Sequence, residues 1–162
     1  MNNVTIRKLQ KSDYHQFSEL IIEEHLNNEM LVKKELWEMI KRRQPRKQLI
    51  GEATKRMHLS PDKAVIFLAE ENEALVGYIW GNIIKRSGRV LDKIGFIEDW
   101  YLKEGYRRKG IGTLLWKELT KWFKNKGCNG LELQAFTTNQ TAISIYHRIG
   151  FIDKTLTLMK KL

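Results

Sequence analysis

Cysteine is nearly absent from this sequence, which has Cys128 alone among its 162 residues. A single thiol cannot form an internal disulfide, so the sequence predicts a reducing compartment. The four histidines, at positions 15, 25, 58 and 147, are scattered, and none has a second histidine or a cysteine at the spacing of metal ligands. We therefore predict no metal site.

Long apolar runs are also lacking. The longest, residues 78–84, is far shorter than the roughly 20 residues that cross a membrane, and the first ten residues contain no apolar signal region. There is no internal repeat or low-complexity tract, and the only prolines are Pro45 and Pro61. These absences predict one cytoplasmic domain over residues 1–162, without a membrane partner.

Positive charge, by contrast, is abundant. The chain carries 29 lysines and arginines against 19 acidic residues, a formal net charge of +10. Residues 33–58 concentrate it, with nine basic and three acidic side chains. A basic face can bind nucleic acid, so a nucleic-acid-binding regulatory protein is the alternative function class. Because no recognition-helix or RNA-binding motif accompanies the charge, we favour a solvated face that attracts an anionic ligand.

One stretch reverses this charge. Residues 12–32 contain no lysine or arginine but five acidic residues, Asp13, Glu19, Glu23, Glu24 and Glu29. Two interpretations stand. The acidic side chains form a solvated helix face that pairs with neighbouring lysines, or they attract a positively charged ligand by focusing negative potential into a cleft.

The most informative stretch is residues 100–116, where an apolar strand runs into a charged turn and then into a helix. Its centre is Arg107-Arg108-Lys109-Gly110-Ile111-Gly112. Glycine lets the backbone approach a ligand closely, and the start of the helix presents unpaired N–H groups, so the turn suits phosphate. The sequence matches neither the GxxxxGK[ST] phosphate loop nor the dinucleotide fingerprint. A tight turn with solvated arginines is the simpler interpretation.

Periodicity and turn residues predict the order βααβββαβαβ, which suits a mixed α/β sheet with helices on both faces. Gly95 within a long strand suggests a bulge or a close backbone approach. Residues 46–59 allow no decision. The predicted elements are strands at 4–9, 64–69, 74–84, 89–102, 131–136 and 151–159, and helices from Ser12-Asp13 to Leu26, from about Met30 to Ile40, at 110–126, and from Asn139 to Gly150.

The turn Arg107-x-x-Gly110-x-Gly112 follows Ile97-Glu98-Asp99-Trp100-Tyr101-Leu102, and Asn139-Gln140-Thr141-Ala142 and Tyr146-x-x-x-Gly150-Phe151 lie downstream. This pair of motifs resembles the acetyl-CoA-binding core of the GNAT (GCN5-related) N-acetyltransferases. The resemblance is dense over residues 64–151. It implies a mostly antiparallel sheet of six to seven strands and direct acetyl transfer from acetyl-CoA to an amine.

The resemblance also implies where acetyl-CoA would be held. The pantetheine arm would run in a splayed gap between two strands, against the backbone of Trp100, Tyr101 and Leu102. The pyrophosphate would rest on the turn that follows. Asn139 would hydrogen-bond the cofactor, although its place also suits a helix N-cap. The implied set is Trp100, Tyr101, Leu102, Arg107, Arg108, Lys109, Gly110, Ile111, Gly112, Thr113, Asn139 and Ala142.

Two catalytic roles follow from the same resemblance. Tyr146 matches the general acid that protonates the departing thiolate, although it also lies in an apolar helical stripe and suits a core tyrosine. Glu98 matches the base of diamine-acetylating members. Strand alternation sends Glu98 and Asp99 to opposite faces unless a bulge intervenes, so only one of them should face the acceptor. Because of its match to the base of those members, we favour Glu98 over Asp99.

The acceptor is predicted from the acidic stretch. In the family that the chain resembles, the first helix and the following loop wall the acceptor side. We therefore predict a cationic primary amine, polyamine-like or lysine-like, with Glu23, Glu24 or Glu29 near the opening and Glu98 or Asp99 deeper. A small-molecule or peptide amine is the predicted partner, and a homodimer stays open. An acetyl-CoA-sensing regulator without catalysis is the alternative.

Overall fold

A five-stranded sheet organises the chain, which we describe from a computed structural model over residues 4–41, 51 and 60–162. The strands lie side by side in the order of the chain. The first four pair antiparallel, and the fifth is parallel to the fourth. The elements are β1 (Val4–Lys8), α1 (Tyr14–Leu31), α2 (Lys34–Ile40), β2 (Ala64–Glu71), β3 (Ala74–Lys85), β4 (Lys93–Leu102), α3 (Ile111–Asn125), β5 (Gly130–Leu133) and α4 (Gln140–Arg148).

Helix α1 covers one face of the sheet. Phe17, Leu20 and Ile21 on this helix are at most 2% exposed and pack in one cluster with Leu68 and Tyr78. The rings of Phe17 and Tyr78 meet edge to face, with centroids 5.2 Å apart. Successive residues of a strand point to opposite faces of the sheet, so the strand residues that alternate with those packed against α1 face the other side.

Helix α3 covers that second face. Leu115, Leu119 and Phe123 lie at helical spacing and are at most 1% exposed. Gly95 of β4 makes room for the Phe123 ring, because a Cβ on Gly95 would lie 2.6 Å from it. Of the two predictions for Gly95, the close backbone approach is confirmed. The bulge lies elsewhere in β4.

That bulge is at Glu98. Trp80 pairs with Asp99, and its neighbour Gly81 pairs with Ile97, so Glu98 is the extra residue on β4. The ladder between β4 and β5 stops at the same level, since its last pair is Ile97 with Leu133. Past this point β4 continues to Leu102 beside β3, and none of the described residues pairs with its other edge.

The α/β class is confirmed, but several predicted details are wrong. β4 begins at Lys93 instead of Arg89, and β5 ends at Leu133 instead of Phe136. The described residues form five strands, not six to seven, because residues 151–159 form no strand. The alternating side chains of residues 151–159 favour a strand, but a strand also needs a neighbouring backbone to pair with, and the alternation does not determine that. The second helix begins at Lys34 instead of near Met30, because α1 continues to Leu31. The undecided segment 46–59 lies outside the described residues apart from Gly51, as does most of the basic stretch 33–58.

Candidate functional site

Three elements converge at the open end of β4. The Trp100 ring stacks on Trp116 of α3, with centroids 5.6 Å apart and planes 15° from parallel. Tyr146 of α4 approaches the same ring, at 6.2 Å between centroids. Phe151 completes the group. Its ring centroid lies 5.8 Å from that of Trp116 and 6.2 Å from that of Tyr146. The aromatic cluster therefore joins residues that the sequence places 51 positions apart.

The turn before α3 contains two residues with positive φ. Gly110 adopts φ 81° and Arg108 adopts φ 61°, both in the left-handed region. α3 begins at Ile111, and none of the described side chains caps its first turn. The first N–H groups of a helix lack partners within the helix and carry the positive end of its dipole. The turn thus presents donors suited to an anion.

Three more predicted residues lie at the start of α3, and they differ in their exposure. Ile111 is buried in the α3 core. Gly112 brings the helix against β4, since a Cβ there would lie 3.4 Å from the side chain of Leu102 and 3.6 Å from Trp100. Thr113 is exposed in the first helical turn, where its hydroxyl can serve as an added donor.

Arg107 is held against the end of β4. Its Nε donates a hydrogen bond to the Leu102 carbonyl at 3.0 Å, and its guanidinium carbon lies 6.0 Å from the centre of the Tyr101 ring. Arg108 and Lys109 are exposed, and the Lys109 ammonium lies 5.4 Å from the Tyr106 ring. Arg107 therefore braces the turn with its Nε, whereas Arg108 extends into solvent.

Tyr146 is partly buried beside β4. Burial, and after it the negative charge of Asp99, raises the pKa of the Tyr146 hydroxyl above its usual value. The group therefore stays protonated at neutral pH and can donate a proton. Both interpretations of Tyr146 find support here, because it packs among aromatic rings and also faces the open end of β4.

Asn139 caps α4. Its side-chain oxygen accepts a hydrogen bond from the Ala142 N–H at 3.2 Å, which confirms the N-cap prediction. The helix ends at Arg148, and Gly150 follows two residues later with a φ of 98°, which few other residues adopt. Ala142 consequently has its N–H engaged within the cap, and since its carbonyl lies within the helix it can offer a ligand only its methyl group.

The bulge determines how Glu98 and Asp99 are presented. Ile97 and Trp100 both pack in the α3 core, so two residues lie between them where regular alternation allows one. Glu98 is exposed, and its Oε1 accepts a hydrogen bond from Asn82 Nδ2 at 2.6 Å. The expectation that only one of the two carboxylates faces the acceptor depended on regular alternation, which the bulge interrupts.

Glu23 contacts the end of β4. Its Oε1 accepts a hydrogen bond from the Tyr101 hydroxyl at 2.9 Å, and its Oε2 lies 3.7 Å from the Lys103 ammonium. Asn27 donates to the same hydroxyl at 2.9 Å. Burial, and secondarily the Glu23 carboxylate, raises the pKa of Tyr101 to about 12. This network joins α1 to the end of β4.

The rest of the acidic stretch is differently placed. Glu24 is 6% exposed and accepts a hydrogen bond from Asn28. Asp13 is 9% exposed and paired with Arg7, whose guanidinium lowers the pKa of that carboxyl. Glu29 is exposed. The stretch is therefore partly structural, and among the three predicted acceptor glutamates Glu29 has the most open carboxylate.

Sequence reasoning missed three polar residues around the site. Asn82 is the one polar residue in the apolar run 78–84, which was a usable signal. Asn27 and Lys103 gave no signal, because their partners lie 74 and 80 positions away in the chain.

Two absences apply to the residues that the structure describes. None of their helices is long and apolar enough to cross a membrane. Within the same ranges, no three histidine, cysteine, aspartate or glutamate side chains are grouped as metal ligands would be.

Comparison with known proteins gives consistent matches. The sequence model of the Acetyltransferase (GNAT) family matches residues 22–151. An N-alpha-acetyltransferase of Sulfurisphaera tokodaii is 33% identical over 100 residues, which cover 58% of this chain and 60% of that protein. A thialysine N-epsilon-acetyltransferase of Mus musculus is 35% identical over 60 residues, covering 37% of this chain and 35% of that protein. The chain spans 25% to 60% of the length of the first curated relatives that it matches.

Among solved structures, the aminoglycoside acetyltransferase AAC(6')-Iy in complex with the bisubstrate analogue CoA-S-monomethyl-acetylneamine has the same fold. Its TM-score is 0.74 at 15% sequence identity, and the match covers 99% of this chain and 98% of that one.

Proposed function

We propose, from the premise that the chain belongs to the Acetyltransferase (GNAT) family, that it transfers an acetyl group from acetyl-CoA directly to a primary amine. The observation that carries this proposal is the convergence at the open end of β4. A strand edge, an uncapped helix start and a protonated tyrosine meet there. These are the parts needed to hold an acylated pantetheine arm, bind its pyrophosphate and protonate a thiolate.

The chain's own groups suit this cosubstrate. The backbone of Trp100, Tyr101 and Leu102 would hydrogen-bond the pantetheine arm, and the N–H groups at the start of α3 would bind the pyrophosphate. Acetyl-CoA supplies the acetyl group as a thioester. The amine nitrogen forms a bond to the acetyl carbon and loses a proton, while the carbon–sulfur bond breaks and the thiolate takes a proton.

Tyr146 would supply the proton to the thiolate, and Glu98 would receive the proton from the amine directly or through water. The raised pKa of Tyr146 supports its role, because a protonated hydroxyl is what an acid requires. Exposure of Glu98 beside Asn82 supports the base, because a solvated carboxylate can accept a proton and release it. Asp99 is the alternative base.

Parallel Glu98→Gln and Asp99→Asn variants separate these two carboxylates. If Glu98 is the base, Glu98→Gln lowers kcat most at low pH, where the amine is most protonated, and Asp99→Asn changes the pH profile less. The reverse ranking transfers the role to Asp99. Equal wild-type profiles would contradict both assignments.

For the acceptor, we propose a cationic amine. Relatives named for thialysine and aminoglycoside acetylation act on amines of this kind, and α1 carries the acidic residues Glu23, Glu24 and Glu29. Glu29→Lys should raise KM for cationic acceptors, more steeply at low salt. Glu19→Lys is the matched control, because Glu19 is an exposed glutamate on the same helix that has no proposed role.

Acetyl-CoA-dependent thiol release, measured across polyamines, lysine derivatives, aminoglycosides, peptide N-termini and neutral amines, tests the proposal. We expect turnover with cationic primary amines. Thermal stabilisation by acetyl-CoA without turnover on any amine would favour the acetyl-CoA-sensing alternative, and turnover on neutral or anionic amines alone would contradict the cationic acceptor. Neither stabilisation nor turnover would contradict the proposed function itself.

A further inference from the structure

Asn82 of β3 bridges two side chains next to the bulge. Its Oδ1 accepts a hydrogen bond from the Trp80 indole N–H at 3.4 Å, and its Nδ2 donates to Oε1 of Glu98 at 2.6 Å. An indole N–H can only donate and an ionised carboxylate can only accept, so one orientation of the amide serves both neighbours. Trp80 therefore fixes which end of the Asn82 amide meets Glu98.

This contact lies on the face of the sheet that α1 covers. Trp80 packs against the α1 cluster, whereas a Cβ on the next residue, Gly81, would lie 2.5 Å from the Phe123 ring of α3. Since alternate residues of a strand share a face, Asn82 lies on the α1 face with Trp80. The hydrogen bond from Asn82 places the Glu98 carboxylate on the same face.

The two carboxylate oxygens of Glu98 differ in their surroundings. Oε1 is engaged by Asn82, whereas Oε2 has no hydrogen-bond partner among the residues that the structure describes. Glu98 is exposed and Asn82 is partly buried. A long exposed side chain samples several rotamers, and the bond to Asn82 limits that freedom. Oε2 is thereby left open to a ligand in a defined position.

We propose that Asn82 is a positioning residue, which holds Oε1 of Glu98 so that Oε2 receives the proton of the amine. This inference rests on the proposed role of Glu98 as the base. As the amine nitrogen bonds to the acetyl carbon, its proton passes to Oε2, and the resulting carboxylic acid then gives the proton to water. Trp80 acts one step further back, by orienting the amide.

Other titratable groups lie around this contact. Those that the surrounding elements place on or beside the α1 face are Asp99 on β4, Glu132 on β5 with its partners Arg86 and Lys154, and Tyr14 and Glu24 on α1. None of the described lysines, arginines or histidines forms an ion pair with Glu98. A carboxylate in place of the Asn82 amide would therefore face Glu98 without a described cation paired to it.

Asn82→Asp tests the contact. Two carboxylates at this distance do not ionise together and should share a proton. We expect the titration of the Glu98 carboxyl carbon, followed by ¹³C NMR, to move to higher pH by at least about one unit. The acid limb of the kcat profile should move with it. Asn125→Asp is the matched control and should change neither, since Asn125 is exposed at the end of α3 and the charge change is identical.

Asn82→Ala separates positioning from charge. Loss of the amide frees the Glu98 side chain, so kcat should fall about 10–100-fold, while acetyl-CoA affinity and Tm stay near wild type. Asn82→Gln, which keeps an amide, should recover part of the rate. Trp80→Phe, which removes the indole N–H, should lower kcat less than Asn82→Ala does.

An unchanged Glu98 titration in Asn82→Asp would overturn the inference, whatever the activity. A shifted titration with an unshifted acid limb would also overturn it, because Glu98 would then not be the base that Asn82 positions. So would a wild-type kcat in Asn82→Ala. The NMR titration needs no substrate, so absence of turnover in the wild-type protein would be recognised separately, as a failure of the proposed function.

Discussion

The two halves of β4 differ in their neighbours. From Ile94 to Ile97 the strand is paired on both sides, with β3 and β5, whereas from Asp99 to Leu102 its one partner among the described strands is β3. The first half contains Ile94, Gly95 and Ile97, all buried, and the second contains Glu98 at the surface. One strand thus supports the core at one end and has backbone groups without a described strand partner at the other.

The candidate site therefore lies where the pairing of β4 with β5 is interrupted. Backbone groups that a complete sheet would use for itself are left available where β5 diverges. Changes in the doubly paired half should therefore affect stability first, and changes around the open half should affect cofactor binding and turnover first. Four variants test this division.

The largest effect is expected from Tyr146→Phe at the open half. Loss of the hydroxyl removes the proposed acid, and general acid catalysis typically contributes about 10²–10⁴-fold, so kcat should fall within that range. Cofactor affinity and melting temperature should change little, because the ring still packs on Trp100. Steady-state kinetics with a validated amine measures this, and wild-type turnover in the variant would remove Tyr146 from the mechanism.

Gly110→Val should disrupt the proposed phosphate-binding turn. At acetyl-CoA about 100-fold above Kd, wild-type protein should gain roughly 2.7 kcal/mol of stability, and the variant should lose this gain. A branched side chain at φ 81° is strained and lies in the proposed phosphate path. Melts with and without acetyl-CoA measure the difference.

Gly105→Val is the control for Gly110→Val. A Cβ at Gly105 also meets nothing within 4 Å, but Gly105 lies before the turn. If both variants lose the ligand-dependent shift equally, the turn is not the phosphate site.

Gly95→Ala should show the opposite behaviour, in the doubly paired half. The added methyl would lie 2.6 Å from the Phe123 ring, and overpacking of this kind costs about 1–3 kcal/mol. Chemical denaturation should show the loss, while turnover per folded molecule stays near wild type. A variant that folds normally but loses acetyl-CoA binding would contradict the division between the two halves.

Tyr101→Phe is expected to have the smallest effect. It removes the hydroxyl that Glu23 and Asn27 share, and a hydrogen bond of this type contributes about 1 kcal/mol to stability. A double-mutant cycle with Glu23→Gln measures the coupling between α1 and β4. Strictly additive losses would show that the two elements are not coupled through this pair.

Much of the core half was predictable from local pattern. The spacing of Leu115, Leu119 and Phe123 gave α3 to within one residue at each end, because helical period and flanking glycines are properties of the local chain. The N-cap by Asn139 and the left-handed Gly110 were predictable for the same reason.

What could not be predicted depends on register between distant strands. The Glu98 bulge is defined only against Trp80 and Gly81, and nothing within β4 fixes its position. The hydrogen bond from Asn82 to Glu98 and the tie between Tyr101 and Glu23 require the assembled sheet. The predicted final strand is wrong, because residues 151–159 have the pattern of a strand but form no ladder with any described strand.

The bulge has a consequence in genetic terms. Trp80 and Gly81 are consecutive in β3, and their partners Asp99 and Ile97 skip one residue of β4. Deleting a single in-frame codon at Glu98 would therefore leave every other cross-strand partner matched and restore regular alternation. Trp100 and Leu102 would keep their face of the sheet. Conversely, the insertion of one codon would add the Glu98 carboxylate and the bulge to a regular strand without changing the rest of the fold.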